Sequence, residues 1–250
     1  MQYGICPLSL VPIRTDPQDA SAMISQLLYG EHFKVLERRR TWSRIRAAHD
    51  RQEGWALNDQ IHLICEEDYK GLQALEHPEL SAELLSHICT AEGILLPVPL
   101  GSVVGTSTLL GHSFEGVGIQ GIRPKDKLVD TAFQYLMAPY LAGGKSPFGI
   151  DCSGFVYMIH KINGHALERT ALGQSKQGEA LSFIEESEPG DLAFFDDSDG
   201  IIDHVGLILP DNHIIHVHGH VRIDRLDHSG IFNRERKMYT HKLRVIKKII

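Results

Sequence analysis

Residues 149–160, Gly-Ile-Asp-Cys-Ser-Gly-Phe-Val-Tyr-Met-Ile-His, decide how the second half of the chain is interpreted. The apolar run from Phe155 to Ile159 follows a glycine-rich loop, so Cys152 is predicted to stand at the N-terminus of a buried helix. The helix macrodipole and the unpaired backbone N–H groups at that position favour a thiolate and can stabilise an oxyanion. A structural cysteine is the alternative, because a free cysteine packs like a small hydrophobe.

Two histidines further along the chain complete a catalytic pattern. The run His204–Leu209 has strand character, and after the turn at Pro210-Asp-Asn212 a second strand carries His216. Antiparallel strands joined by such a turn place both imidazoles at one end of a ribbon, on the same face if the register permits. Nucleophilic catalysis needs a base that is oriented by a third polar group. We therefore predict Cys152 as nucleophile, His204 as base and His216 as the residue that orients His204.

The elements around these residues predict an α+β domain over 125–250. A helix is predicted over Lys127–Met137 with Pro139 as its stop, and a second helix runs from about Cys152 through His160. Strand-like runs follow at Asp191–Phe195, His204–Leu209, His213–His218 and His241–Ile250. Helices followed by antiparallel strands are typical of the α+β class.

The first 65 residues predict a small all-β barrel. Short strand-like runs separated by polar turns occur at Leu10–Arg14, Glu31–Glu37, Trp42–Ala47 and Gly54–Leu57. The order Val11-Pro-Ile-Arg14, Gln26–Glu31, Trp42–Arg46 and Gly54-Trp55-Ala56 resembles a bacterial SH3 domain over 1–65. A structural barrel with no ligand is the open alternative.

The middle segment, 66–124, is predicted to connect the two domains. Leucines at mixed helical spacing, interrupted at Pro78, predict two short helices up to about Thr90. The region from Leu95 to Gly121 returns to strand and turn character, either as a second, partial barrel or as an insertion packed on the first.

Composition limits the classes of partner. The chain has 250 residues and a formal net charge of −7, which argues against nucleic acid and anionic membranes because both require clustered positive charge. The one basic run, Arg38–Arg40, is interpreted as a solvated strand edge. We expect a monomer that binds neither nucleic acid nor membrane and needs no cofactor or metal ion.

The N-terminal stretch and the cysteines bear on the compartment. The apolar run Ile5–Ile13 is interrupted by two prolines and no basic n-region precedes it, so it does not predict a signal peptide. The four cysteines are widely separated and form no C-x-x-C pair. We expect a cytoplasmic protein in a reducing compartment, with a periplasmic or extracellular location as the alternative if a leader precedes this sequence.

Four motifs in order resemble the NlpC/P60 family of cell-wall peptidases, over roughly residues 125–220. They are Pro139-Tyr140 with Gly143-Gly144, Asp151-Cys-Ser-Gly-Phe155, Pro189-Gly-Asp-Leu-Ala-Phe-Phe195 and His204-Val-Gly206. Together with the SH3-like barrel, the chain is similar to the γ-D-glutamyl-L-diamino acid endopeptidases. The resemblance implies a papain-like fold, and it implies hydrolysis of the bond between D-glutamate and a diamino acid in small murein peptides with a free N-terminal L-Ala, as in cell-wall recycling.

The resemblance also implies which residues act. It implies a Cys-His-His triad carried onto Cys152, His204 and His216, with Tyr140, Asp151 and Ser153 binding substrate. Asp151 is our candidate to pair with the substrate ammonium, aided by groups of the barrel near Trp55. Arg169 is either a partner of a substrate carboxylate or one half of a structural ion pair. One departure is Ala142, where the family often has a tryptophan that forms a wall of the pocket.

Three other functions remain possible from the sequence. The residues His213, His216, His218 and His220 could form a metal cluster, because imidazoles spaced by two share a strand face. The chain could be a non-catalytic module that binds the cell wall. It could also use the same papain-like chemistry as an acyltransferase.

Overall fold

The computed structural model describes all 250 residues, which divide into two compact units. The first unit comprises Met1–Ile122 and Ala142–Pro147, and the second comprises Arg123–Leu141 and Phe148–Ile250. The predicted boundary at residue 65 therefore falls inside the first unit. The short segment 142–147 belongs with that unit because Lys145 is bound there. Its backbone N–H donates to Gln26 Oε1 at 2.8 Å, and its ammonium group lies 3.0 Å from a Glu31 oxygen.

The first unit is built on a seven-stranded antiparallel sheet that forms a small barrel. The strands are β1 Gln2–Ile5, β2 Leu10–Arg14, β3 Met23–Leu28, β4 His32–Arg38, β5 Trp42–Ala47, β6 Glu53–Leu57 and β7 His62–Ile64, in the order β3-β2-β6-β5-β4-β1-β7. The apolar members of the alternating strands face inward. The buried core consists of Cys6, Val11, Ile13, Leu27, Phe33, Val35, Ile45, Ala47 and Ala56. The strands predicted in this region are thus present.

The segment after the barrel contains one α-helix and several short strands. Helix α1 spans Glu66–Gln73, and the strands are β8 Leu80–Ser81, β9 Leu85–Cys89, β10 Leu95–Pro99, β11 Ser113–Phe114 and β12 Gly118–Ile119, with β13 at Lys145–Ser146. The predicted second helix is wrong. Strand β9 buries Ser86 and Ile88 and exposes Leu85 and His87, so its burial alternates with a period of two, although the leucine spacing had suggested a helix.

This segment does not form a second closed barrel. It makes one three-stranded sheet, β10-β9-β11, and one two-stranded pair, β12-β8, beside a 3₁₀ helix at Val104–Leu110. A satellite core joins it to the barrel through Tyr29, Ile88, Val98 and Val104, all of which are buried. The shared core explains why the segment belongs to the first unit.

The second unit packs helices against another seven-stranded antiparallel sheet. The helices are α2 Asp126–Gln134, α3 Cys152–Ile162 and α4 Ala171–Gln174. The strands are β14 Gly149–Ile150, β15 Glu179–Leu181, β16 Leu192–Asp196, β17 Ile202–Leu209, β18 His213–His218, β19 His220–Asp227, β20 Gly230–Asn233 and β21 Met238–Lys248. The large sheet has the order β15-β21-β16-β17-β18-β19-β20, and β20 also pairs with β21. This α+β arrangement confirms the predicted fold class.

Helix α3 is the central helix of this unit. The Asp151 side chain caps it by accepting from the Gly154 N–H, and Asn163 ends it. All residues from Gly154 to Ile162 are buried, as expected for a helix that is apolar on every side. This burial fixes Cys152 at the first position of a rigid element. None of the helices has both the length and the apolarity of a membrane-spanning helix.

Candidate active site

Cys152 begins α3 and is half-buried. Its thiol donates to the backbone carbonyl of Asp203 at 3.6 Å, on the strand that carries His204. Burial and the nearby Asp151 carboxylate raise the pKa of the thiol to about 11, although the backbone N–H groups of Val205 and Ser153 oppose that shift. The expectation that the helix N-terminus favours a thiolate is therefore overturned for the resting protein, because desolvation outweighs the dipole. The thiol needs a base.

His204 and His216 lie side by side as the sequence predicted. His204 Nε2 and His216 Nδ1 are 3.0 Å apart, and both residues are buried. The β17–β18 register pairs Gly206 with His216, so His204 is the diagonal neighbour of His216 on the same sheet face. Asp211 and Asn212 both have positive φ and form the tight turn that sets this register.

Gly206 makes this contact possible. It stands directly opposite His216, and a Cβ atom at this position would lie 2.9 Å from His216 Cβ and 2.7 Å from Ile214 Cδ1. A side chain there would force β18 away from β17. The glycine of the His204-Val-Gly206 motif therefore serves the histidine pair by leaving room for it.

Asp224 extends the pair on its other side, and the sequence analysis missed it. Its Oδ2 atom lies 3.2 Å from His216 Nε2 and 2.8 Å from Arg222 Nε. Burial acts against the charge of this carboxylate, but the hydrogen bonds from His216 and Arg222 lower its pKa. The sequence signal for Asp224 was the spacing of Arg222 and Asp224 by two, on a strand-like run that follows His216. That signal is useful only if this run is recognised as β19, the strand that pairs with β18.

The ring of His204 contacts two other rings. His241 of β21 stacks on it with centroids 4.0 Å apart, and Phe195 of β16 lies on it at 5.7 Å. Burial and repulsion from His241, His216 and His218 place the pKa of His204 well below its usual value. His204 is therefore a neutral imidazole at neutral pH, which is the form that accepts a proton from a thiol.

The alternative metal cluster of His213, His216, His218 and His220 does not assemble. Adjacent positions of a strand face opposite sides, so His213 lies on the other face of β18 from His216 and His218. The imidazoles that do come together are His204, His216 and His241, with ligand atoms within 4.8 Å of one another. Two of those nitrogens already bond each other, so the geometry fits a proton relay better than a ligand set.

The predicted substrate residues fall into three groups. Arg169 is buried and bonds both oxygens of Asp151, at 3.0 and 2.8 Å, as well as Ser153 Oγ at 2.9 Å, which makes it one half of an ion pair beside the nucleophile. Tyr140 is 53% exposed, and burial together with the charges of Asp151 and Cys152 raises the pKa of its hydroxyl. Trp55 belongs to the first unit, where the Arg39 guanidinium lies 4.3 Å from its ring centre. Their contacts with substrate stay predictions.

Two family models match the chain. Residues 137–240 match the NlpC/P60 family, and residues 13–61 match the bacterial dipeptidyl-peptidase SH3 domain. The first match contains the proposed nucleophile and both histidines of the pair. The second match covers the end of β2 and all of β3 to β6 of the barrel.

Curated relatives carry related names. The chain is 40% identical over 93 residues to a γ-D-glutamyl-L-lysine dipeptidyl-peptidase of Bacillus subtilis, a match that covers 36% of this chain and 31% of that protein. A protein of the same name from Bacillus cereus is 39% identical over 93 residues, which is 36% of this chain and 28% of that protein. The chain thus spans about a third of the length of these relatives. Dipeptidyl-peptidase 6 of Lysinibacillus sphaericus is 24% identical over 253 residues, covering 88% of this chain and 90% of that protein.

A solved structure supports the fold over the whole chain. An NlpC/P60 family protein from Bacillus cereus superimposes with a TM-score of 0.80 at 19% identity and covers 99% of both chains. At that identity the likeness establishes the fold alone. The two family matches, the curated relatives and this fold agree: residues 137–240 form an NlpC/P60 domain, and a region that matches a bacterial SH3 domain, residues 13–61, precedes it.

Proposed function

We propose that this protein is a cysteine peptidase with Cys152 as nucleophile, His204 as base and His216 as orienting residue. The observation that carries the proposal is the 3.0 Å contact between His204 Nε2 and His216 Nδ1, on the strand whose Asp203 carbonyl accepts from the Cys152 thiol. A buried neutral imidazole with one nitrogen fixed by a partner leaves its other nitrogen available as a base.

The reaction follows from the resting protonation states. The Cys152 proton passes to His204 as the sulfur attacks the scissile carbonyl carbon, so the thiolate forms only as it reacts. The backbone N–H groups near the start of α3 can stabilise the resulting oxyanion. His204 then gives its proton to the leaving amine as the carbon–nitrogen bond breaks, and a thioester forms. Water, deprotonated by His204, hydrolyses the thioester and restores the thiol.

The substrate we propose is a small murein peptide with a free N-terminal L-Ala, cleaved between γ-D-glutamate and a diamino acid. The names of the relatives support this choice, because a dipeptidyl-peptidase releases a dipeptide from a free N-terminus. Asp151 stands next to the nucleophile and is our candidate for the site of the ammonium group. Because Arg169 holds both of its oxygens, Asp151 is rigid, and a substrate amine would join an existing ion pair. Trp55 remains a candidate on the barrel side.

We further propose that the protein acts as a monomer on released peptides during cell-wall recycling in the cytoplasm. The negative net charge supports a small peptide substrate over nucleic acid or an anionic membrane surface. An acylated N-terminus has no ammonium group to pair with a carboxylate. Peptides still linked to glycan through L-Ala should therefore be poor substrates.

The test uses four substrates and mass spectrometry. They are L-Ala-γ-D-Glu-L-Lys, L-Ala-γ-D-Glu-meso-diaminopimelate, the N-acetyl form of the better of these two peptides, and purified sacculi. We expect release of L-Ala-γ-D-Glu from the free peptides, at least about 100-fold slower cleavage of the acetylated one, and no activity on sacculi. Comparable cleavage of all four would refute the recycling role, and absence of cleavage would favour a binding module.

One rival chemistry is tested in the same reaction. An acyltransferase would pass the acyl group from the thioester to an added amine in place of water. Adding glycinamide and finding its adduct as the main product would identify a transferase. Free L-Ala-γ-D-Glu as the main product identifies a hydrolase.

A further inference from the structure

We propose that Asp224 is a positioning residue that fixes where the protons sit in the His204–His216 pair. The inference rests on the proposed function and deepens it. It follows from a chain of three buried groups, His204, His216 and Asp224, which sit on the adjacent strands β17, β18 and β19.

The direction of each hydrogen bond in this series can be deduced by starting at Asp224. An ionised carboxylate accepts only, so His216 Nε2, which lies 3.2 Å from Asp224 Oδ2, must carry a hydrogen. In the neutral imidazole that leaves a lone pair on His216 Nδ1. His204 Nε2, at 3.0 Å from that lone pair, must then be the donor. The lone pair of His204 is therefore on Nδ1, the nitrogen outside the relay.

The opposite arrangement would disable the base. Without an acceptor at His216 Nε2, His216 could carry its hydrogen on Nδ1 and donate to His204 Nε2. His204 would then hold its hydrogen on Nδ1 and have no lone pair on its remaining nitrogen with which to take the thiol proton. Asp224 is linked to His204 through two successive hydrogen bonds. Its carboxylate thus selects the tautomer in which His204 can take the proton of the Cys152 thiol.

Arg222 keeps Asp224 in place and ionised. It is the cross-strand partner of His216, and its Nε and Nη2 atoms reach Asp224 Oδ2 and Oδ1 at 2.8 and 3.2 Å. Arg222 also reaches Glu235 at 3.3 Å through Nη1. The other titratable groups near His216 are the rings of His218 and His241, at 6.4 and 5.6 Å. Asp224 is the one carboxylate bonded to either catalytic imidazole.

Replacement by asparagine and by alanine should differ in a specific way. In Asp224→Asn the side-chain amide can take two orientations. With its oxygen in the place of Oδ2 it still accepts the hydrogen bonds from His216 Nε2 and Arg222 Nε, and with its nitrogen there both bonds are lost. The asparagine variant should therefore preserve the tautomers and much of the activity. Asp224→Ala removes the acceptor of the His216 Nε2 hydrogen bond. Loss of such a supporting partner typically lowers activity by about 10- to 100-fold.

The experiment measures tautomers and kinetics on the full chain. Two-dimensional ¹⁵N spectra of histidine-labelled protein identify which ring nitrogen carries hydrogen, with assignments from His204→Gln and His216→Gln. In the wild type and in Asp224→Asn we expect the hydrogen on Nε2 of both His204 and His216. In Asp224→Ala we expect a mixture of the Nε2–H and Nδ1–H tautomers at His216. We expect kcat to fall in the order wild type, Asp224→Asn, Asp224→Ala, with KM unchanged.

A matched control separates positioning from simple destabilisation. Asp191 is another fully buried carboxylate of the second unit, held by Lys125 Nζ at 2.7 Å. Asp191→Ala should lower stability and leave both tautomers and the kcat of the folded fraction unchanged. If Asp191→Ala reduces kcat as much as Asp224→Ala does, the positioning role is refuted.

The outcomes keep the inference apart from the proposed function. Hydrogen on Nδ1 of His216 in the wild type overturns the inference even if no Asp224 variant folds. Equal kcat in wild type and Asp224→Ala overturns it as well. Correct tautomers in a wild-type protein that hydrolyses none of the peptides would refute the proposed substrate and support the relay.

Discussion

Both units bury a network of ionisable groups, and the two networks end differently. In the first unit Lys145 lies 3.0 Å from Glu31 and 3.2 Å from Asp50, and all three side chains are essentially inaccessible to solvent. In the second unit Arg222 and Asp224 lead through His216 to His204. The first network consists of one ammonium group and the two carboxylates that it contacts. The second ends at a neutral imidazole that can accept a proton. We therefore expect disruption of the first network to affect stability and disruption of the second to affect the proposed chemistry.

The largest expected effect comes from removing the nucleophile. Cys152→Ala should lower hydrolysis of the tripeptide by at least about 10⁴-fold, because no other group can form the thioester. The matched control is Cys6→Ala in the barrel core, where burial raises the pKa of the thiol to about 12 and no imidazole relay is attached. Mass-spectrometric rates and circular dichroism check both variants. Turnover by folded Cys152→Ala, or loss of turnover in folded Cys6→Ala, would remove the contrast between the two thiols.

The second prediction ranks the two histidines. His204→Ala should cost about 10³-fold in kcat, the range for loss of a general base. His216→Ala should cost about 10- to 100-fold, because the base is still present but no longer oriented. His216→Gln or His216→Asn should retain part of the activity through the side-chain oxygen. Steady-state kinetics on the tripeptide measure all four, and a greater loss in His216→Ala than in His204→Ala would reverse the assigned roles.

The third prediction breaks the closed network. Lys145→Met should lower the free energy of unfolding by about 3–5 kcal/mol, because it leaves two buried carboxylates without their cation. The control is Lys127→Met, which removes the exposed ion pair with Asp130 and should leave the stability within experimental error. Urea titrations followed by fluorescence measure both. A Lys145→Met protein as stable as the wild type would show that this network does not serve stability.

The fourth prediction concerns a buried histidine of the second unit that lies outside the relay. Burial lowers the pKa of His160 from 6.5 to about 4, and its Nδ1 bonds the Val156 carbonyl at 2.8 Å. As pH falls below 6.5 the unfolded chain binds a proton at this residue before the folded protein does. The stabilisation is therefore complete above pH 6.5 and is lost progressively down to about pH 4, by roughly 3 kcal/mol.

The pH dependence of unfolding tests this point with paired variants. His160→Leu should flatten the slope of unfolding free energy between pH 6.5 and 4, whereas replacement of the exposed His228 by leucine should leave it as in the wild type. Chemical denaturation at half-unit steps of pH supplies the data. An unchanged slope in His160→Leu would refute this prediction and assign the acid sensitivity to the other histidines whose pKa burial lowers, which include His241, at about 4, and His204.

Much of the fold and the core of the site could be predicted from the sequence. The barrel strands, helix α3 and the β17–β18 hairpin all follow from local patterns: alternation of period two, an apolar helical run after a glycine-rich loop, and a turn at Pro210-Asp-Asn212. The sequence also predicted that His204 and His216 share one end of a ribbon, because two strands and one turn fix that geometry. Around β9 the spacing of the leucines suggests a helix, whereas the alternating burial is that of a strand, and the prediction of a helix there was wrong.

The tertiary structure alone decided the protonation states and the outer parts of the site. The pKa of Cys152 is raised because packing removes water from the thiol, and no local pattern reports that desolvation. Asp224 and His241 lie 8 and 25 positions after His216 in the sequence. They meet the histidine pair because the order of strands in the sheet brings β19 and β21 close to it. Sequence by itself determined which residues could do the chemistry, since motifs are local. Only the folded sheet determined which nitrogen of His204 bonds His216 and which is left over, because that depends on partners brought together across three strands.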